Sequence, residues 1–165
     1  MLYLFWQTNW KKETVNFAGT KESCYDECVP SCKPYWVEID SHCYMWENFQ
    51  VSWADAEEYC RKHGGHLASI TSKATNDNIS ALLNTKHEDL RSMWIGGTDQ
   101  EEEGVWKWSD CTPWSFEAWM EETTGNRLEA QDCLEFFRYG AIWGADDCSK
   151  GNYFLCSQKL CPGWF

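Results

Sequence analysis

Apolar and polar positions follow three regimes along the chain. Over residues 1–23 they show no period. Met1-Leu2-Tyr3-Leu4-Phe5-Trp6 is apolar, and Gln7, Lys11, Lys12, Glu13, Lys21 and Glu22 are then scattered among other residues. A mobile tail is expected there, with the compact domain running over 24–165. A helical period follows: Ser52 stands as an N-cap with Asp55 three residues on, Trp53, Ala56, Tyr59 and Cys60 recur at helical spacing, and Lys62, His63 and Gly64-Gly65 close the run. This predicts a helix over 52–63. A second helix is expected from Ser72, with Ala74, Asn78, Ile79, Leu82 and Leu83 as its stripe. Beyond residue 93 the pattern shortens to aromatic or β-branched runs between turn residues. These are Trp94-Ile95-Gly96-Gly97, Val105-Trp106-Lys107-Trp108, Leu134-Glu135-Phe136 and Tyr153-Phe154-Leu155-Cys156, read as strands. Two helices, several short strands and one long irregular stretch over 109–132 make an α+β domain.

Composition narrows the function. The 165 residues suit one domain, and a net charge of −12 repels phosphate backbones and anionic lipid, so nucleic acid and membrane surfaces drop out as partners. Twelve tryptophans among 16% aromatic residues carry too much apolar mass for a disordered chain. Ten cysteines would be an oxidation hazard in a reducing compartment and form a disulfide framework outside it, so the chain is expected to be extracellular and secreted. The six apolar residues at the start have no basic region before them and no small-residue cleavage site after them, which fits a truncated leader or part of the mature chain. No apolar run approaches the roughly 20 residues of a membrane-spanning helix. Glu101-Glu102-Glu103 reads as a solvated loop.

Eight motifs then stand in order: Cys32-x10-Cys43-Tyr44, Trp53-x2-Ala56-x3-Cys60, Gly65-x-Leu67-Ala68-x-Ile70, Trp94-Ile95-Gly96-Gly97, Gly104-x-Trp106-x-Trp108-Ser109-Asp110, Asp132-Cys133, Trp143-x4-Cys148 and Phe154-x-Cys156. Over about Cys28 to Cys161 the chain resembles a C-type lectin-like domain of the long form. The resemblance implies two helices, short antiparallel sheets and a long loop region, stapled by disulfides. Its pairings would be Cys60–Cys156, Cys133–Cys148 and Cys32–Cys43. Since the ends of this fold lie close together, Cys28–Cys161 is expected as well. Cys24 and Cys111 then either pair with each other or bridge to another chain as a disulfide-linked oligomer. Cys111 takes the place of the glycine usual in the family's Trp-Ser-Asp-Gly turn. Trp53, Trp94, Trp106 and Trp108 read as core, with Trp106 and Trp108 on one strand face. Gly96 and Gly97 would let backbone pass close to the Trp94 ring.

Sugar-binding members of the family hold Ca²⁺ through oxygen-rich tripeptides, because a hard cation needs six to eight oxygens. Here the first tripeptide reads Thr124-Gly125-Asn126, Gln131 stands where the family has an acid, and Trp143 is followed by Gly144-Ala145. Only Asn126 remains as a clear ligand, so no cofactor is required and no ordinary monosaccharide site is expected. The family's auxiliary site is less eroded, with Asp99, Glu103, Asp132 and Asp146 as its metal ligands and Arg127 at a position usually Asn or Asp. Those acids would hold Ca²⁺ or form a salt-bridged loop without it.

His42, His63, His66 and His87 read as surface or capping residues, and no nucleophile–base set or glycine-rich phosphate loop is present, so no enzyme is expected. Asn78-Ile79-Ser80 is a glycosylation sequon. The expected function is a secreted module recognising a protein or glycan through the long loop. Trp114, Phe116, Trp119, Asn126 and Arg127 are the candidate ligand-binding residues, and Met120 lies beside them. The aromatic ones either meet a partner or pack beneath the loop. The rivals are a calcium-dependent or atypical carbohydrate-binding lectin and a mineral- or ice-surface-binding structural protein. Against ice, the loop carries Glu117, Glu121, Glu122 and Arg127 rather than a flat, weakly polar face.

Overall fold

The computed structural model describes residues 14–15, 21–22, 28–86, 91–120 and 130–162. Cys24, His87, Glu121, Glu122, Thr124, Gly125, Asn126 and Arg127 therefore lie outside the described residues. Within the stretch expected as a tail, β1 (Thr14–Val15) and β2 (Lys21–Glu22) pair antiparallel, Thr14 opposite Glu22.

Both helices begin where their caps dictate. In α1 (Trp53–Lys62) the Ser52 hydroxyl accepts from the Asp55 backbone N–H at 3.2 Å and donates to its carboxylate at 2.6 Å. Trp53, Ala56 and Cys60 are buried, and Gly64, at φ +86°, turns the chain just past the helix end. In α2 (Lys73–Lys86) the Ser72 hydroxyl accepts from the Thr75 N–H at 3.1 Å. Its buried stripe is Asn76, Ile79, Ser80 and Leu83, whereas Ala74 and Asn78 face solvent. The expected stripe is thus rotated, because two polar residues find buried partners: the Ser80 hydroxyl donates to the Arg138 carbonyl and the Asn76 amide to the Ala141 carbonyl.

The remaining strands are β3 (Val37–Ile39), β4 (His42–Val51), β5 (His66–Leu67), β6 (Ser92–Thr98), β7 (Lys107–Trp108), β8 (Cys133–Phe137), β9 (Ile142–Asp146) and β10 (Asn152–Lys159). They form a sheet with β3, β4, β10, β6, β8 and β9 side by side, while β5 pairs β10 and β7 pairs β6. The sheet is mixed rather than wholly antiparallel, since β10 runs parallel to β6, with Tyr153 opposite Met93. Leu134 and Phe136 project from β8 into a core shared with Ile79, Leu83, Ile95, Trp106, Trp108 and Trp143. Cys133, Glu135 and Phe137 take the opposite face. A second core gathers Trp53, Cys60, Trp94, Phe154 and Cys156 around α1. All four core tryptophans expected from the pattern are buried.

Glycine at 96 is required, though not by the Trp94 ring: a Cβ there would lie 2.7 Å from the Leu67 carbonyl oxygen and 2.9 Å from the Ser109 hydroxyl. At 97 the neighbour is the Leu134 side chain.

The disulfides are Cys28–Cys161, Cys32–Cys43, Cys60–Cys156 and Cys133–Cys148. Cys28–Cys161 closes the ends beside a parallel bridge between Val29 and Leu160. Cys60–Cys156 ties α1 to β10, and Cys133–Cys148 ties the start of β8 to the chain leaving β9. Each contributes roughly 2–4 kcal/mol. Cys111 is also disulfide-bonded, and it adopts φ 60°, the region where glycine is at ease.

Candidate functional site

The candidate site is the long loop region leaving β7 and returning at β8. Its described first half, 111–120, begins on fixed polar anchors. The Asp110 carboxylate accepts the Ser69 hydroxyl at 2.6 Å and the Thr112 N–H at 2.9 Å. From Cys111 to Ala118 exposed and half-buried residues alternate: Cys111, Pro113, Ser115 and Glu117 face outward, and Thr112, Trp114, Phe116 and Ala118 inward. The segment then joins β9 as a short parallel bridge, the Trp143 N–H donating to the Ala118 carbonyl at 2.7 Å and the Met120 N–H to the Trp143 carbonyl at 2.9 Å.

Trp143 is the hub of this arrangement. It is fully buried, and its indole N–H donates to the Asn76 side-chain oxygen at 2.8 Å, tying it to α2. Phe116 and Trp108 meet its ring edge-to-face at 5.5 Å, Trp114 at 5.9 Å and Trp119 at 6.2 Å. Trp114 also stacks on Trp108 at 4.6 Å. Pairs of this geometry each add roughly 0.5–1.5 kcal/mol beyond area burial. Trp114, Phe116 and Trp119 therefore pack under the loop, though all three stay half-exposed. Trp114 keeps its N–H at the surface, donating to Glu117 at 2.7 Å.

The acids at the loop base are Asp99, Glu103, Asp132 and Asp146. Asp99 and Asp132 are neighbours through the backbone, the Asp99 N–H donating to the Asp132 carbonyl at 3.2 Å. Asp99 is buried and its carboxylate accepts the Gly104 N–H at 2.9 Å. Glu103 is exposed on the turn between β6 and β7. Asp146 lies opposite Cys133 on β9, and its carboxylate takes the Lys150 ammonium at 2.5 Å and the Asp147 N–H at 2.8 Å. Asp146 in turn holds the Lys150 ammonium above its usual pKa. Among the described residues, no three acids, histidines or cysteines stand close enough to share a metal.

The two residues that follow Trp143 are closely packed. A Cβ on Gly144 would lie 2.8 Å from the Phe137 ring, and Ala145 packs against the core. A side chain at 144 would require the Phe137 ring to shift. Beneath this spot burial raises the Glu135 pKa, opposed by hydrogen bonds from Ser92 and Asn152. Sequence reasoning had singled out neither Phe137 nor Lys150. Lys150 stands four residues after Asp146, and Phe137 falls on the β8 face opposite Leu134 and Phe136, so both signals were present in the residue order.

His66 is not a free surface residue. Its Nδ1 meets the Glu57 carboxylate at 2.6 Å, and Glu57 also accepts the Leu67 N–H at 2.8 Å and the Ser109 hydroxyl at 3.0 Å. The hydrogen bond to Glu57, opposed by burial, raises the His66 pKa. His63 caps α1, as expected.

Comparison with known proteins agrees with this architecture. The family described as Lectin C-type domain matches residues 49–158. The galactose-specific lectin nattectin of Thalassophryne nattereri is 32% identical over 130 residues, covering 79% of this chain and 82% of its own. Lectin BRA-3 of Megabalanus rosa is 33% identical over 142 residues, covering 82% and 84%. The solved structure of herring type II antifreeze protein superposes with a TM-score of 0.70 at 29% identity, covering 79% of this chain and all of its own. These relatives are two lectins and an antifreeze protein. With the profile spanning most of the domain and the fold matching in detail, the chain belongs to the C-type lectin domain family.

Proposed function

We propose that the chain is an extracellular recognition module that binds a protein or glycan ligand through its long loop region without a calcium-bridged monosaccharide. The observation that carries this reading is the approach of the Phe137 ring to Gly144: it lies 2.8 Å from where the Cβ of a ligating side chain would stand. Two further observations support it. Lys150 pairs with Asp146 from within the chain, and the aromatic cluster on Trp143 holds the first half of the loop. On this reading Trp114, Phe116 and Trp119 supply half-exposed ring edges, and Asn126 and Arg127 add polar contacts. The disulfide framework suits an oxidising compartment, and no described helix is long and apolar enough to cross a membrane.

The test is an array of immobilised glycans and extracellular proteins probed in millimolar calcium and in chelator. Binding unchanged by the chelator and weakened about tenfold or more by Arg127→Ala is the expected result. Binding abolished by the chelator and competed by a free monosaccharide would overturn it in favour of a calcium-dependent lectin; likeness to the galactose-specific nattectin favours sugar binding. Likeness to herring antifreeze protein favours an ice-surface role, which thermal hysteresis would reveal. The outward Glu117 argues against it.

A further inference from the structure

Asn78-Ile79-Ser80 is the single Asn-x-Ser/Thr tripeptide of the chain. It lies inside α2, and the helix separates its two chemical parts. Asn78 faces solvent, and no hydrogen bond engages its amide among the described residues. Its neighbours on that face, one turn away on either side, are Ala74 and Ala81, both exposed and small enough to leave space above the amide. Ser80 is the reverse. It is 8% exposed, and its hydroxyl donates to the Arg138 carbonyl at 2.5 Å while accepting from Asn84 at 3.5 Å.

We propose that Asn78 is an N-glycosylation site that is modified only before α2 docks on the sheet. The transferase forms a bond from the amide nitrogen of Asn78 to the anomeric carbon of a lipid-linked oligosaccharide. The lipid pyrophosphate leaves and the amide loses one proton. Recognition needs the hydroxyl of the third residue and an extended tripeptide. In the folded domain that hydroxyl is buried and committed to Arg138, and the tripeptide is helical. Once attached, the sugar is tolerated, because Asn78 points away from Ile79 and Leu83, which carry the packing. The glycan then covers the outer face of α2.

The inference depends on the extracellular reading only for the route through the secretory pathway, so it is tested apart from ligand binding. The full chain, given a cleavable leader, is translated with endoplasmic-reticulum microsomes. The expected result is a glycan-sized gain in mass that peptide-N-glycosidase removes, converting Asn78 to Asp. Asn78→Gln and Ser80→Ala abolish it, and Ser80→Thr retains it. Because Ser80→Ala also disturbs packing, Asn78→Gln, at an exposed position, is the control that leaves the fold intact. In the second arm, chain folded with its disulfides closed is offered to detergent-solubilised transferase beside reduced, unfolded chain. The unfolded chain is expected to be modified at least tenfold more. An unmodified translocated wild-type chain would overturn the site, and equal modification of folded and unfolded chain would overturn the timing.

Discussion

At position 144 an asparagine of the sugar-binding type would have to share space with the Phe137 ring. Gly144→Asn is therefore expected to cost about 1–3 kcal/mol through overpacking. The thermal midpoint would drop by several degrees, with no gain in calcium affinity, as differential scanning calorimetry with and without the ion would show. A second residue-scale substitution has the opposite character. Cys111 occupies a left-handed backbone position, φ 60°, where a side chain costs about 1 kcal/mol or more. The disulfide it forms offsets this, adding roughly 2–4 kcal/mol. No described cysteine is free. Electrophoresis without reductant should accordingly give monomer mobility, whereas a dimer band that reductant dissolves would mean that a sulfur is shared between chains.

Among the elements, α1, β5 and β7 meet at one carboxylate. Glu57 projects from α1 to the Leu67 N–H and His66 of β5, and to Ser109 just beyond β7. The folded protein holds the His66 proton more tightly than the unfolded chain does, because its pKa is raised above 6.5. The pair's contribution is thus fully present below about pH 6.5 and is lost as pH rises through the elevated value. Thermal midpoints measured across pH 5 to about 9 should fall over that upper window, and His66→Gln should flatten the fall. An unchanged slope in the variant would show that the histidine has no such linkage. The elements themselves were legible in the chain to differing degrees. Ser52 and Ser72 announced both helix starts, because a hydroxyl cap is a local signal. The α2 face was not readable, since Asn76 and Ser80 are polar residues buried by partners 65 and 58 residues away. β9 was missed because Gly144 and Ala145 have weak strand propensity and are held there by pairing with β8.

For the molecule as a whole, most of the fold was legible through the family resemblance that the cysteine, tryptophan and glycine motifs carry, and the disulfides that resemblance implied are the ones found. The site was only half legible. The absence of oxygen-bearing side chains directly after Trp143 and the spacing of Lys150 four residues after Asp146 could be seen in the residue order, but the approach of the Phe137 ring to Gly144 depends on β8 pairing with β9. On the proposed reading, these contacts take the place of a cation at the loop base. A cation bound only by the folded form would stabilise it by about 2.7 kcal/mol at one hundred times its dissociation constant. Thermal unfolding of the full chain in millimolar calcium and in chelator is the most direct test. Coincident midpoints are predicted, and a calcium-dependent rise of several degrees would contradict the account.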